Sequence, residues 1–429
     1  MMERYISKTS ASNELHERAK QFLPSGVSYI IRYFEPYPFY TKMAKGSKLI
    51  DIDGNEYVDF WIGHLALILG HSPEPVIEAV KKQIENGTHF GTCHPLEVEL
   101  AEEIVKLVPC AEMVRYTNTG TEAAMYAIRL ARAYTRRKKI VKFEGGWHGG
   151  YDALDIAVKP PFEIPESAGI TEEATKHTIS APYNDLEGTI QKVKNEEVAA
   201  VIIEPVLGAG GGIPADKEFL KGLKELCEEK DALLIFDEVI TGFRLAPGGA
   251  QQLYGITPDL TILGKILGGG FPIGAVVGRR DVMELFDALK FERPNYVFQG
   301  GTFCGNPVSL TAGLKTLKLL EDGTIISKLN HMGEKVREEL RDIFETAGID
   351  VQVTGVSSLF HTHFTKNEVK NVKDVMNADR KRLMEYHLHL IENGVFFLPT
   401  KTGGLCSAHT EEDIEKLFRE AENYARKIR

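Results

Sequence analysis

Amphipathic segments alternate with short, continuously apolar runs from about residue 96 to about residue 308. Three of the amphipathic segments, LEVELAEEIVKLV, EAAMYAIRLARAYT and KEFLKGLKELCEEK, repeat apolar residues at helical spacing. The apolar runs KIVKF, VAAVIIEP, ALLIFDEV, DLTILG and GAVVG are typical of short strands that are buried on both faces. The alternation therefore predicts an α/β fold, in which a mostly parallel sheet lies between layers of helices.

The pattern changes on both sides of this region. Helices are predicted at roughly 308–321 and 326–347, followed by VQVTG, SSLFHTHF, another helix and GVFFLP, which indicates a smaller α+β domain. Near the N terminus, SKLIDIDGNEYVDF has a DG turn between two alternating runs and predicts a β-hairpin. A hairpin fits poorly into a parallel sheet, so we assign it to the small domain. The predicted division is 1–65 and 311–429 for the two parts of the small domain, and 66–310 for the large domain.

Composition narrows the classes of function. Of the 429 residues, 43% are hydrophobic and 26% are charged, as in ordinary globular proteins. A net charge of −10 argues against nucleic acid as a partner, and the apolar runs are too short to cross a membrane. The N terminus has no apolar segment of the secretory type, so a cytoplasmic protein is expected. No metal site is predicted, because the five cysteines lack metal-binding spacing: Cys93, Cys110, Cys227, Cys304 and Cys406.

Two charged residues stand where apolar strands are predicted to end. Asp237 follows ALLIF, and Lys265 follows DLTILG and precedes a glycine-rich stretch. Ligands of α/β sheets bind at the carboxyl ends of the strands, so both side chains are candidates for one site. By itself Lys265 has three interpretations: a solvated charge, a phosphate ligand, or a covalent anchor for a carbonyl compound. Asp237 is either a solvated or capping acid, or a carboxylate paired with a cation.

A helix start provides a candidate phosphate site. In TNTGTEAAMYAIRLARAYT, Thr119 and Glu122 have the spacing of a capping box before a long helix. Gly120 and Thr121 then lie at the helix start, where free N–H groups and the helix dipole favour an anion. A capping box with a purely structural role is the alternative.

Further candidates follow other strands or lie in glycine-rich loops. Trp147 lies between two glycine pairs, so its ring is free to stack on another flat ring, and His148 is either a general base or a partner of a catalytic group. Glu204 ends another strand, and Thr302 lies in the loop QGGTFCGNP. An amine, a carboxylate, an aromatic ring and a phosphate cradle match pyridoxal phosphate, which has an aldehyde, a ring nitrogen, a flat ring and a phosphate.

The chain resembles the class III pyridoxal-phosphate aminotransferases of fold type I. The resemblance is carried by ERAKQFLPSGVSYIIRYF, VRYTNTGTEAAMYAIRLARAYT, LLIFDEVITGFR, PDLTILGKILGGGFPIGA and GTFCGNPVSLTAGLKTL, and it runs nearly from end to end. Within the family, it is most similar to the branch that contains glutamate-1-semialdehyde 2,1-aminomutase. The resemblance favours the covalent interpretation of Lys265.

The resemblance implies roles for the residues at matching positions. Lys265 would bind the cofactor aldehyde covalently, and Asp237 would pair with the pyridine nitrogen. Val239 and Trp147 would lie on opposite faces of the cofactor ring, and Glu204 is a further residue of the cofactor site.

The resemblance also implies a dimer. Gly120 and Thr121 would hold the cofactor phosphate, and Thr302 would reach the phosphate bound by the neighbouring subunit. The functional unit would then be a homodimer with shared active sites. Its partners would be small molecules, an amino acid and a keto acid.

Several positions depart from the aminomutase pattern. Arg32 is kept and suggests a substrate carboxylate, but Tyr29 replaces a small hydroxyl residue beside it. Tyr29 would add bulk where the compact diamino acid of an aminomutase needs room. The loop at 399–409 lacks the family's glutamate, and Ala209 stands where many ω-aminotransferases have one. LGAGG around Ala209 is similar to aminotransferases that act on β-amino acids.

These departures favour a two-substrate aminotransferase, which moves an amino group between an amino acid and a keto acid. β- and ω-amino acids are candidates for the amino acid. The alternatives are glutamate-1-semialdehyde 2,1-aminomutase and an amino-acid racemase on the same scaffold. A binding or scaffold protein without catalysis is disfavoured by the intact pair of Lys265 and Asp237.

Overall fold

A computed structural model describes residues 2–429 of the chain. The α-helices are α1 (Glu3–Lys8), α2 (Ser10–Ala19), α3 (Ile62–Leu65), α4 (Glu74–Asn86), α5 (Pro95–Leu107), α6 (Gly120–Thr135), α7 (Glu172–Thr175), α8 (Leu186–Val193), α9 (Lys217–Glu229), α10 (Gly249–Tyr254), α11 (Arg280–Met283), α12 (Pro307–Leu320), α13 (Thr324–Thr346), α14 (Val372–Asn377), α15 (Arg380–Glu392) and α16 (Glu411–Ile428). Single 3₁₀ turns occupy Pro24–Gly26, Ile30–Arg32, Asp152–Leu154, Lys265–Gly268 and Glu284–Phe286.

The strands form four sheets. Their bounds are β1 (Thr41–Lys45), β2 (Lys48–Asp51), β3 (Glu56–Asp59), β4 (Met113–Thr117), β5 (Lys139–Phe143), β6 (Thr178–Ala181), β7 (Val198–Ile203), β8 (Val206–Leu207), β9 (Ile213–Pro214), β10 (Leu233–Asp237), β11 (Leu260–Gly264), β12 (Gly274–Gly278), β13 (Gln352–Thr354), β14 (Leu359–His363), β15 (Val395–Phe396) and β16 (Gly403–Gly404). The largest sheet has the order β4-β12-β11-β10-β7-β5-β6, and its strands from β11 to β6 are parallel. The predicted α/β fold with a mostly parallel sheet is confirmed.

Strand β12 is the exception, because it runs antiparallel to both β11 and β4. Only residues 265–273 separate it from β11. A parallel return needs a crossover of a dozen or more residues, so this connection permits only an antiparallel neighbour.

Helices cover the large sheet on both faces, which explains why its strands are apolar throughout. In β7, Ala200 and Ile202 pack in one buried cluster with helix α6, whereas Val201 and Ile203 pack in another with helix α9. All four side chains are almost fully buried. Because side chains alternate along a strand, a strand between two helical layers needs an apolar residue at every position.

The hairpin predicted near the N terminus is formed by β2 and β3. It joins the C-terminal part of the chain, because β3 pairs in parallel with β15, where Val58 lies opposite Val395. The domain boundaries after residues 65 and 310 stay a prediction. The second one falls inside helix α12, so a boundary there would lie at one end of that helix.

The carboxyl ends of the parallel strands carry the predicted site residues. Strand β10 ends at Asp237, Glu204 follows β7, and Lys265 follows β11. Trp147 lies in the loop after β5. Among residues 2–429, no helix has both the length and the apolar character that crossing a membrane requires.

Candidate active site

A cavity of about 300 Å³ lies at this edge of the large sheet. Its walls contain Tyr29, Gly120, Thr121, Trp147, Glu204, Asp237, Val239 and Lys265. Residues predicted from separate strand ends are therefore brought together. Thr302 and Arg32 are not part of this wall.

Lys265 has an unusual backbone. Its φ is 47°, in the left-handed region that costs a residue with a side chain about 1–3 kcal/mol. Burial lowers the pKa of its ammonium group, and the charges of Asp237 and Glu204 oppose this shift. The protein therefore favours a neutral amine at this position more than water does.

A second buried lysine is excluded as the reactive amine by its hydrogen bonds. Lys142 Nζ donates to the carbonyl oxygens of Gly146, Leu154 and Ile156 at 2.9, 2.8 and 2.5 Å. An ammonium has three protons, so these three bonds satisfy it. They also fix the loop that carries Trp147.

Asp237 is held by two partners. Its Oδ2 atom lies 2.8 Å from His148 Nδ1, and its Oδ1 atom accepts the backbone N–H of Val239 at 3.1 Å. Burial lowers the pKa of His148, so we assign a neutral ring whose Nδ1–H donates to the carboxylate. His148 is thus a partner of Asp237, which is one of its two predicted roles.

Glu204 joins two loops at the wall of the cavity. Its Oε1 atom accepts the N–H of Trp147 at 2.8 Å, and its Oε2 atom accepts the N–H of Gly208 at 3.1 Å. Burial raises the pKa of Glu204, and the charge of Asp237 raises it further. Both carboxylate oxygens are engaged with the backbone, so Glu204 acts on the site by positioning Trp147.

The start of helix α6 differs in one detail from the predicted capping box. Thr119 Oγ1 accepts the N–H of Glu122 at 3.1 Å, as expected. The Glu122 carboxylate, however, accepts the N–H of Asn118 at 2.7 Å and so closes the preceding loop. The N–H groups of Gly120 and Thr121 lie in the first turn of α6, where no carbonyl of the helix accepts them. They remain suited to an anion.

Close contacts shape this end of the cavity. A Cβ atom on Gly120 would lie 3.0 Å from a methyl group of Val239, and one on Gly149 would lie only 2.2 Å from Thr121 Oγ1. Gly149 also has a φ of 82°, which disfavours any other residue. Gly149 therefore lets the loop after β5 approach the start of α6, and Gly120 lets the start of α6 approach Val239 after β10.

Tyr29 and His64 form the mouth of the cavity. Their rings are stacked with centroids 5.7 Å apart, and 44% of the Tyr29 surface is exposed. Burial lowers the pKa of His64 to about 4, with smaller contributions from the charges of Arg32 and Lys265. The histidine at the mouth is therefore neutral.

Arg32 lies on the other side of this mouth. It is exposed, donates to Ser28 Oγ at 3.0 Å and lines a neighbouring cavity that shares Trp61 and His64 with the first. Thr302 is exposed in its loop and contributes nothing to the wall of its own chain's cavity.

Sequence reasoning missed several residues of the wall, including Trp61, His64, Ile240, Lys401 and Thr402. Trp61 and His64 follow strand β3, and Lys401 and Thr402 precede β16, so four of these five come from the small sheets. The rarity of tryptophan was an available signal for Trp61, because the chain has only two.

The residues of this cavity fit pyridoxal phosphate. Lys265 provides the amine, Asp237 a fixed carboxylate, and Gly120 and Thr121 two free N–H groups at a helix start. A Cβ atom at Gly120 would occupy space beside Val239 that the glycine leaves open to a ligand. These observations agree with the chemistry of the cofactor's aldehyde, ring nitrogen and phosphate.

Comparison with known proteins decides the family. Residues 31–405 match the family model described as aminotransferase class III. The chain belongs to this family. The class III aminotransferase family and the fold predicted from the sequence are thereby confirmed.

Similar proteins cover almost the whole chain. The glutamate-1-semialdehyde 2,1-aminomutase of Methanopyrus kandleri is 46% identical over 419 residues, which are 96% of either chain. The crystal structure of an ω-transaminase from Sphaerobacter thermophilus is 35% identical with a TM-score of 0.93, and it covers 99% of this chain and 100% of its own.

A transaminase structure with bound pyridoxal phosphate is 33% identical, with a TM-score of 0.89 and coverage of 98% of both chains. Pyridoxal phosphate is the cofactor of this member of the class III aminotransferase family, as predicted.

Proposed function

We propose that this protein is a glutamate-1-semialdehyde 2,1-aminomutase, which exchanges the places of an amino and a carbonyl group on one substrate. The observation that carries the proposal is its 46% identity to the Methanopyrus kandleri protein of that name, over 96% of each chain. The product would be 5-aminolevulinate, and no external keto acid would be consumed.

This proposal replaces the two-substrate transamination that the sequence departures favoured. One of those arguments was that Tyr29 takes up the room needed by a compact diamino acid. The Tyr29 ring stacks on His64 and keeps 44% of its surface exposed. Its bulk therefore lies at the mouth, and the cavity around Lys265 keeps space for a compact substrate.

Pyridoxal phosphate supplies an aldehyde that accepts amines and a ring that accepts electrons from the carbon beside the nitrogen. Lys265 holds the cofactor and, when its amine is free, moves a proton at the reacting carbon. The lowered pKa of Lys265 favours the neutral amine that takes up this proton. Asp237 keeps a proton on the ring nitrogen, and the 2.8 Å bond to His148 fixes the carboxylate in that position.

Other residues hold the cofactor in place. Gly120 and Thr121 donate their N–H groups to the phosphate. Trp147 and Val239 line the same cavity and would contact the ring, and the bond from Trp147 N to Glu204 at 2.8 Å sets the position of the tryptophan.

A two-substrate aminotransferase is the second candidate. Two observations favour it: the TM-score of 0.93 with the Sphaerobacter thermophilus ω-transaminase, and the LGAGG segment around Ala209. Ala209 lines the cavity and leaves no carboxylate at this position.

The two candidates make opposite predictions in a paired assay. Purified protein loaded with pyridoxal phosphate is expected to convert glutamate 1-semialdehyde into 5-aminolevulinate without an added amino donor or acceptor. The reason is that an aminomutase returns the amino group to the same substrate. The measurement is 5-aminolevulinate formed with time, and Lys265→Ala protein is the control. Transfer from an amino acid to a keto acid, without 5-aminolevulinate from the semialdehyde alone, would identify the second candidate.

We also propose that Thr302 completes the phosphate site of a second copy in a homodimer. Thr302 is exposed and contributes nothing to the cavity of its own chain. Its hydroxyl group can donate to a phosphate oxygen. The Thr302→Ala protein is therefore expected to bind pyridoxal phosphate about 10- to 100-fold more weakly, the value of one hydrogen bond to a charged group.

Mixed dimers test whether this contact crosses between subunits. Thr302→Ala and Lys265→Ala proteins are unfolded together, refolded and assayed at a cofactor concentration that limits the first variant. If Thr302 acts on the partner's site, each mixed dimer has one site with both native residues, and activity rises well above that of either variant. If Thr302 acts within its own chain, no such site forms and mixing restores nothing, which would contradict the proposal.

A further inference from the structure

Lys401 is a cationic residue of the cavity wall, and none of the roles described above involves it. It is half-buried and lies between β15 and β16, in the part of the chain contributed by the small sheets. The backbone around it is fixed, because Thr400 N donates to His387 Nδ1 at 2.9 Å and Lys401 N donates to the Leu398 carbonyl at 3.0 Å. Thr402 Oγ1 donates to the Gly208 carbonyl at 2.9 Å. The lysine is thus presented from a rigid segment.

The charge of Lys401 is not neutralised by the protein. Burial lowers the pKa of its ammonium group, and the nearby cations Lys159 and Arg380 lower it further. No carboxylate within residues 2–429 contributes an opposing shift. A half-buried cation that has no carboxylate partner of its own creates a positive potential that attracts an anion.

The two carboxylates of the same cavity are already engaged. Glu204 accepts the N–H groups of Trp147 and Gly208, and Asp237 is bonded to His148. Lys401 therefore differs from Lys142, whose three protons are all donated to carbonyl oxygens.

The loop that contains Gly208 and Ala209 lies against the segment of Lys401 and has no acidic side chain. The bond between Thr402 and the Gly208 carbonyl holds this segment against the loop that contains Ala209. Ala209 lines the cavity with a methyl group, so this position of the loop provides no carboxylate. An anion that enters the cavity meets Lys401 without competition from a side chain.

We propose that Lys401 binds the carboxylate of the substrate inside the cavity and sets the preference for amines that carry one. This inference rests on the proposed function, because it assigns the substrate-binding group of the same site. Arg32 lies in the neighbouring cavity beyond Trp61 and His64, and it attracts the carboxylate at the mouth. Lys401 then holds the carboxylate so that the substrate amine is directed to the side of the cavity where Lys265 would hold the cofactor aldehyde.

The test measures binding of matched amines to the holoenzyme through the absorbance of the bound cofactor. One pair is 5-aminolevulinate and 1-aminobutan-2-one, and the other is 4-aminobutyrate and propylamine. Within each pair the second amine lacks only the carboxylate. Wild-type protein is expected to prefer the first member of a pair. Lys401→Met is expected to reduce that preference about 10- to 100-fold, the effect of losing one charged hydrogen bond.

Three variants make the result specific. Lys401→Arg is expected to keep the preference, because it keeps a cation. Lys401→Gln replaces Lys401→Met if the methionine variant does not fold. Lys159→Met is the control, because it removes a positive charge that acts on Lys401 from outside the cavity. The Lys159 side chain is 73% exposed, and its Nζ atom lies 3.2 Å from the Glu166 carboxylate. This control is expected to keep the wild-type preference.

Two results would overturn the proposal: a Lys401 variant with the wild-type preference for carboxylates, or wild-type protein that prefers neither carboxylate amine. Failure of the proposed function looks different. In that case wild-type protein forms no 5-aminolevulinate from glutamate 1-semialdehyde but still prefers 4-aminobutyrate to propylamine, and Lys401→Met still removes this preference.

Discussion

Lys265→Ala protein is expected to lose turnover by at least about a thousandfold, the scale of a missing general acid–base group, and to lose its covalent link to the cofactor. The physical reason is that Lys265 is the cavity's reactive amine, with a pKa lowered by burial. The measurement is borohydride reduction of the holoenzyme, followed by mass spectrometry of the peptides. The wild-type protein is expected to carry the reduced cofactor on the peptide that contains residue 265.

Two other lysines serve as internal controls for this assignment. Lys142 is buried but saturated by three carbonyl oxygens, and Lys401 lines the same cavity as Lys265 from the segment between β15 and β16. Both remain in the Lys265→Ala protein. A cofactor label on the peptide of either lysine in the wild-type protein would show that the anchor is wrongly assigned.

The central strands could be predicted because burial on both faces leaves a clear signal. KIVKF and GAVVG match β5 and β12 at both ends. The edge strands β4 and β6 were missed, since MVRYT and TISA are partly polar and partly exposed. The antiparallel direction of β12 depends on the short connection after β11, which an apolar pattern does not report.

The site was predictable where one strand end determines a residue's position. Asp237, Glu204 and Lys265 each follow an apolar run, so their place at one edge follows from the topology of a parallel sheet. His64 and Lys401 reach the cavity only because the small sheets pack against this edge. Their positions depend on contacts between segments far apart in sequence, and nothing in the local pattern marks them.

The same limit explains why the sequence favoured a two-substrate aminotransferase over the aminomutase that we propose. Tyr29 was interpreted as bulk inside the pocket because its position was compared with a small residue. Its direction is set by stacking on His64, a residue that the sequence analysis did not include. Replacement of one side chain changes a pocket only if that side chain points into it.

Asp237→Asn protein is expected to lose about two to three powers of ten in turnover. The carboxylate is buried and bonded to His148 at 2.8 Å and to Val239 N at 3.1 Å, so its charge is fixed in place. Asparagine keeps the shape but removes the charge that holds a proton on the cofactor's ring nitrogen. Losing a buried, charged hydrogen bond costs about 2–4 kcal/mol, and about 1.4 kcal/mol corresponds to a factor of ten in rate.

Glu238→Gln is the matched control, because it makes the same change of charge at the next residue. The Glu238 carboxylate is fully buried but accepts bonds from Thr241 and Gln251 and does not line the cavity. This variant is expected to lower the melting temperature, since it disturbs a buried hydrogen-bond network, while folded protein keeps its turnover. The Asp237→Asn protein should instead retain the cofactor through the phosphate site and lose the rate. Equal rates in the wild-type and Asp237→Asn proteins would mean that the charge of Asp237 does not act on the ring nitrogen.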